Sequence, residues 1–198
     1  MRKIFFFLLI SALTFTTSAQ TAKSRCNWGL KSGLNISTLR TDANSENDWK
    51  TGLVLGAYFK FKAGNNFMIQ PEFLYSSLGG RLATIGSGET RYRLNYFSIP
   101  VLANIKIAKN ISVVAGPEAD FLIQAKRGND GNYSKSTGDF RDASFGLTGG
   151  FEFWPIQQVG FSARYHHGFS NVADDESGSL RNMELKNQAV QLTVAVRL

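Results

Sequence analysis

Gln188-Ala-Val-Gln-Leu-Thr-Val-Ala-Val-Arg-Leu198 closes the sequence in strict alternation. Val190, Leu192, Val194, Val196 and Leu198 fall on one face of a period-two strand, and Gln191, Thr193, Ala195 and Arg197 on the other. A strand that finishes without a polar tail leaves an open edge unless another strand covers it. A closed barrel covers it by joining the last strand to the first. The fold expected from this stretch is all-β: an eight-stranded, antiparallel, up-and-down transmembrane barrel.

Working outward, the same pattern recurs over 27–37, 51–62, 67–79, 92–107, 111–125, about 144–153 and 159–169. Leu53, Leu55, Ala57, Phe59 and Phe61 alternate with Gly52, Gly56, Tyr58, Lys60 and Lys62, and the other strands read the same way. Along 111–125, Phe121 and Ile123 are expected outside with Asp120 and Gln124 inside. Pro71, inside a strand, points to a bulge or a strand end. The connections at 38–50, 80–91, 126–142 and 171–186 are long and polar. Those at 63–66, 108–110 and 155–158 are short, with Gly, Asn and Pro. Long connections after odd strands and short ones after even strands are the rhythm of outer-membrane barrels: long external loops, short periplasmic turns and both termini periplasmic.

The two strand faces differ in kind. One carries most of the Phe and almost no charge. The other carries Lys31, Lys60, Lys106, Arg164 and Arg197 beside Glu72, Glu118, Asp120 and Glu152. A soluble ligand-carrying barrel needs the reverse, so lipid is the expected surroundings. The interior charges could line a pore or hold a polar ligand. At eight strands, however, side chains just fill the bore. A plug in which five bases pair with four acids also meets the demand that buried charge be compensated. Trp28, Tyr75, Tyr165 and Phe169 are expected as membrane-interface aromatics, and Val190, Leu192, Val194, Val196 and Leu198 as the C-terminal insertion strand.

The N-terminus reads as a processing signal rather than part of the fold. Arg2 and Lys3 precede the apolar run from Ile4 to Ile10, with Ala12, Leu13 and Phe15 beyond it, and Thr17-Ser18-Ala19 supplies a cleavage site before Gln20. The expected division is a signal peptide over 1–19 and a barrel domain over 20–198. Loss of Arg2 and Lys3 lowers the formal charge from +7 to +5. Lys and Arg are scattered, so nucleic acid is not an expected partner. Outer-membrane lipid and lipopolysaccharide are, together with the insertion machinery and an unspecified surface or secretion partner. The single cysteine, Cys26, excludes an internal disulfide. Lys23-Ser24-Arg25 before it do not form a lipoprotein signal.

Catalytic and metal chemistry find little support. His166 and His167 are neighbours and so point to opposite faces, and Ser162, Ser170 and Glu152 do not converge with His167. Asp174-Asp175-Glu176 reads as a solvated acidic run. No cofactor, no metal and no enzymatic activity are expected.

Several segments resemble the PorT-like outer-membrane β-barrel family, often labelled porin family protein. They are Gly29-Leu-Lys-Ser-Gly-Leu-Asn-Ile-Ser-Thr38, Gln70-Pro-Glu-Phe-Leu-Tyr-Ser76, Leu94-Asn-Tyr-Phe-Ser-Ile-Pro-Val101, Gly116-Pro-Glu118, and Ala163-Arg-Tyr165 with Gly168 and Asn171. In order, they cover nearly the whole mature chain. The resemblance implies a Gram-negative outer-membrane barrel without established catalytic residues. For PorT itself it implies a tie to a secretion system, which makes an accessory role in protein export or envelope assembly the alternative to a structural, surface-binding barrel. An outer-leaflet lipid-modifying enzyme is the remote alternative. Many such barrels end in Phe or Tyr, whereas this sequence ends in Leu198.

Overall fold

A computed structural model describes residues 26–41, 49–84, 88–129, 132–135, 140–172 and 185–198. The signal expected over 1–19 and the acidic run 174–176 lie outside these residues. Among the described residues nine strands follow one another: β1 Cys26–Thr41, β2 Lys50–Lys62, β3 Phe67–Thr84, β4 Gly88–Lys106, β5 Ile111–Asn129, β6 Asn132–Lys135, β7 Ala143–Phe153, β8 Val159–Gly168 and β9 Leu185–Arg197. Eight of them form the wall, each antiparallel to its neighbours. β6 is a four-residue ribbon added to the end of β5.

Closure runs through β9. It pairs with β8 from Val159↔Val196 to His167↔Gln188, and with β1 from Gly29↔Arg197 to Thr41↔Leu185. Beyond that ladder, the Leu198 amide still donates to the Trp28 carbonyl at 3.0 Å. Neither edge of the last strand is left open, which an apolar-faced strand requires in lipid.

The strands at one end run further than their apolar patterns show. β3 and β4 continue as a paired ribbon to Thr84↔Gly88, so the long loop expected over 80–91 is mostly sheet. β5 likewise reaches Asn129 and pairs with β6 inside the expected loop 126–142. β1 and β9 extend to Thr41 and Leu185. Polar alternation carries these extensions, and apolar periodicity does not see them. The end bearing the short hairpins is called the turn end below, and the opposite end the loop end.

Two irregularities also depart from simple alternation. Pro71 lies well inside β3 and shifts no register. Having no amide proton, it interrupts the ladder to β2 between Tyr58↔Glu72 and Phe61↔Ile69. The bulge is elsewhere, where the β4–β5 pairing steps from Asn95↔Gln124 to Tyr96↔Leu122. Asp120 points into the barrel, but beyond the extra residue Ala125 is the buried position and Gln124 is only half-buried, against the inward placement expected for Gln124.

Every wall strand sends large apolar side chains outward. Phe145 and Phe151 are each 59% exposed. Rings form a chain across four strands, with centroid distances of 6.4 Å for Trp28–Phe59, 6.2 Å for Phe59–Phe73 and 6.3 Å for Phe73–Phe97. An apolar girdle of this extent is far beyond what a water-facing surface carries. Trp28 lies on this outer face near the turn end and Phe169 just past the loop end of β8, with Tyr75 and Tyr165 between.

Candidate functional site: the barrel lumen

The lumen is built in layers, and its centre is an ion-pair cluster. Arg164 of β8 grips Glu72 of β3 with both guanidinium ends, Nη1 to Oε2 at 2.8 Å and Nη2 to Oε1 at 2.9 Å. Nη2 also donates to Glu152 Oε1 of β7 at 2.6 Å. Lys31 Nζ donates to Glu72 at 2.7 Å, and Lys60 Nζ to Glu152 at 2.6 Å. Gln70 donates to both carboxylates, at 2.6 and 2.8 Å, and accepts from Asn104 at 2.8 Å. All of these residues are buried. Strand alternation aims each one inward, and the multiple charge-assisted bonds offset the cost of dehydrating them. Between Lys31, Tyr58, Gln70, Glu152 and Trp154 there is no room for a water-sized sphere.

One layer toward the loop end, His166 of β8 sits between two carboxylates of β5. Its Nδ1 is 3.2 Å from Glu118 Oε2 and its Nε2 3.6 Å from Asp120 Oδ2. Thr148 donates to Glu118, and Ser98 donates to Asp120 Oδ1 at 2.5 Å. Gly146 makes room for the ring, because a Cβ there would stand 2.8 Å from His166 Cε1. Reading His166 and His167 only as a pair split across two faces missed this convergence. The missing information was the tilt of β8 across β7 onto β5, for which the sequence offers one faint sign, the run of Gly and Ser residues on β7. Ser98 bonds to the acid and not to the imidazole, whereas Thr148 Oγ1, which donates to Glu118, also lies 3.1 Å from His166 Nδ1. By formal count, Lys31, Lys60 and Arg164 face four carboxylates in these two layers, and an imidazolium at His166 equalises the total.

Above this layer the lumen is capped. Leu78, Tyr92, Leu94, Tyr96, Ala125, Phe140, Val172 and Ala189 form a buried apolar cluster at the loop end. Tyr92 and Phe140 meet edge to face at 5.7 Å.

At the turn end the lumen instead opens into a vestibule of about 610 Å³. Lys106 and Arg197 are found here and not in the central cluster. Lys106 is exposed on the rim, which corrects its placement among the interior charges, and Arg197 is half-buried. Trp154, which follows β7, forms part of the wall with Lys60 Nζ 4.4 Å and the Arg197 guanidinium carbon 4.9 Å from its ring centroid.

The geometry thus describes a closed wall, apolar outside and charged inside. Residues 18–174 match the family described as outer membrane protein beta-barrel domain. The chain belongs to that family. Membership makes this an outer-membrane barrel. Among solved structures it is similar to neisserial surface protein A (NspA), with a TM-score of 0.57 at 9% identity, covering 86% of this chain and 97% of that one. It is also similar to Ail, the attachment invasion locus protein of Yersinia pestis, with a TM-score of 0.51 at 16% identity, covering 87% and 98%. The complex of Ail with the heparin analogue sucrose octasulfate gives 0.50 at 14% identity, covering 88% and 99%. No curated protein matches the chain.

Proposed function

We propose that this outer-membrane barrel is a plugged, non-conducting scaffold that binds at the cell surface through its loop end, with the turn end and both chain ends in the periplasm. The central ion-pair cluster carries the reading. Charges joined this tightly, with no room for a water-sized sphere between Lys31, Gln70 and Glu152, support a bore closed to solutes. Function then falls to the loop end, where Arg40, Lys50, Arg93, Lys126, Arg127 and Lys186 crown the strands. Their chemistry suits phosphate and sulfate groups, such as those of lipopolysaccharide. The neighbours named as a surface protein and an attachment protein, one of them with a bound heparin analogue, lie in the same direction.

The test has two arms. The refolded protein in planar bilayers should give no conductance steps. Single-cysteine variants in a Cys26→Ser background should report orientation: Trp49→Cys reacts with an impermeant maleimide on intact cells, and Asn65→Cys only after the outer membrane is opened. Steady conductance would remove the plug, and the opposite labelling pattern would invert the barrel.

A PorT-like accessory role in export or envelope assembly is the second reading. The unequal ends of the lumen favour it, since the turn end stays open while the loop end is capped. Deleting the gene and assaying secreted proteins separates the two, because a surface-binding barrel leaves secretion intact.

A further inference from the structure

The turn-end vestibule has a chemistry of its own that the plug does not use. Four cations reach it, Lys60, Lys106, Lys109 and Arg197, and no carboxylate is among its described lining residues. Lys60 is neutralised from behind by Glu152. The other three are not matched by any lining acid. Arg197 is held over Trp154 by a cation–π contact, which positions a cation without cancelling its charge, and its Nε has no hydrogen-bond partner.

The wall holding these groups is rigid. The Trp154 amide donates to the Asn110 carbonyl at 2.8 Å, and its Nε1 donates to Glu152 at 3.3 Å. Its ring lies flat on Gly160, where a Cβ would come within 2.6 Å of two ring atoms. A fixed aromatic wall, unmatched cations converging from β4, the β4–β5 turn and β9, and a volume of about 610 Å³ are the features of a preformed anion site.

We propose that the turn-end vestibule binds a small polyanion, a molecule carrying two or more phosphate or carboxylate groups, clasped by Arg197, Lys106 and Lys109 against the Trp154 wall. In the orientation proposed above the site faces the periplasm, but its chemistry does not depend on that orientation.

Titration calorimetry on the refolded full chain in a non-ionic detergent tests this, with pyrophosphate and citrate as probes and chloride as the monovalent control. Pyrophosphate or citrate should bind at low ionic strength and weaken as salt rises. Lys106→Gln/Lys109→Gln and, separately, Arg197→Gln should each weaken binding by about tenfold, as expected when charge-assisted contacts are lost. Arg141→Gln, exposed at the far end of the barrel and outside both the vestibule lining and the loop-end cations named above, should leave it unchanged. The heat-dependent gel shift confirms that each variant is folded. Tighter binding of pyrophosphate assigns the site to phosphates, and tighter binding of citrate to carboxylates. Absence of binding by both probes, or equal binding by wild type and the vestibule variants, overturns the proposal.

Discussion

Glu72→Gln should destabilise this barrel more than removal of the arginine it pairs with. Glu72 is fully buried and receives four donors: Lys31 at 2.7 Å, Gln70 at 2.6 Å, and Arg164 at 2.8 and 2.9 Å. The amide keeps the shape but has one acceptor oxygen, and it turns an NH2 group toward donors the carboxylate had satisfied. The formal charge of Lys31, Lys60, Arg164, Glu72 and Glu152 together rises from +1 to +2. Breaking a buried pair by deleting one partner costs about 3–5 kcal/mol. At about 1.4 kcal/mol per tenfold, the folded-to-unfolded ratio falls by roughly two to nearly four orders of magnitude.

Arg164→Met loses three hydrogen bonds but leaves two lysines facing two carboxylates, so it strands no charge and should cost less. The double variant Glu72→Gln/Arg164→Met returns the cluster to +1 and should be more stable than Glu72→Gln alone. Urea unfolding in phospholipid vesicles, followed by tryptophan fluorescence and by gels of unboiled samples, measures all three. A cost for Glu72→Gln below about 1 kcal/mol, or strict additivity of the pair, would refute the claim that these charges act as one unit.

Three further outcomes are expected. Phe151→Lys, on the outer face, should cost about 2–4 kcal/mol in bilayers, the range for a cation facing lipid near mid-membrane, as read by the same urea titration; a negligible cost would mean that face meets water. Gly160→Ala should overpack the Trp154 ring, cost about 1–3 kcal/mol, and shift the tryptophan emission; unchanged emission would show that the ring has space to spare. His166→Ala leaves Glu118 and Asp120 without the group between them and should cost on the order of 3 kcal/mol in thermal or urea unfolding, whereas wild-type stability would mean the ring holds nothing together.

The wall was legible in the sequence because each strand carries its own instruction. Phe59 and Phe61 against Tyr58 and Lys60 fix the two faces of β2 without reference to any other strand, and Ala63-Gly-Asn-Asn66 fixes where it turns. The charged character of the lumen was legible for the same reason. Which charges meet was not, because partners are set by stagger between strands. Arg164 reaches Glu72 across 92 positions and His166 reaches Glu118 across the intervening β7, relations that no local period records. Nor was the depth of each residue along the barrel legible. Lys106 alternates inward as faithfully as Lys60, yet lies one layer lower, where the lumen has opened to solvent. The bulge at Asn95/Tyr96 was hidden because one inserted residue looks like continued alternation until the partner strand is known.

The layering also sets how each end of the barrel connects to its core. The central cluster is worth its dehydration only if water stays out, since the same ion pair is several-fold weaker at high dielectric. At the loop end, Tyr92, Phe140, Val172 and their neighbours exclude it by apolar packing. Within that packing Asn187 donates to the Tyr96 hydroxyl at 3.2 Å, and the Arg141 amide donates to the Val172 carbonyl at 3.0 Å. A change in loop sequence that preserves the apolar cap should leave His166 and Arg164 undisturbed. At the turn end no such cap is found among the described residues; there the boundary is Trp154 itself, bonded to Glu152 on one side and facing solvent with Arg197 on the other. At one end an apolar cap stands between the strand ends and the core, and at the other Trp154 joins the vestibule directly to it. A ligand in the vestibule, by pulling on Arg197 and Trp154, would act on the ion-pair cluster, whereas a ligand on the loops would not.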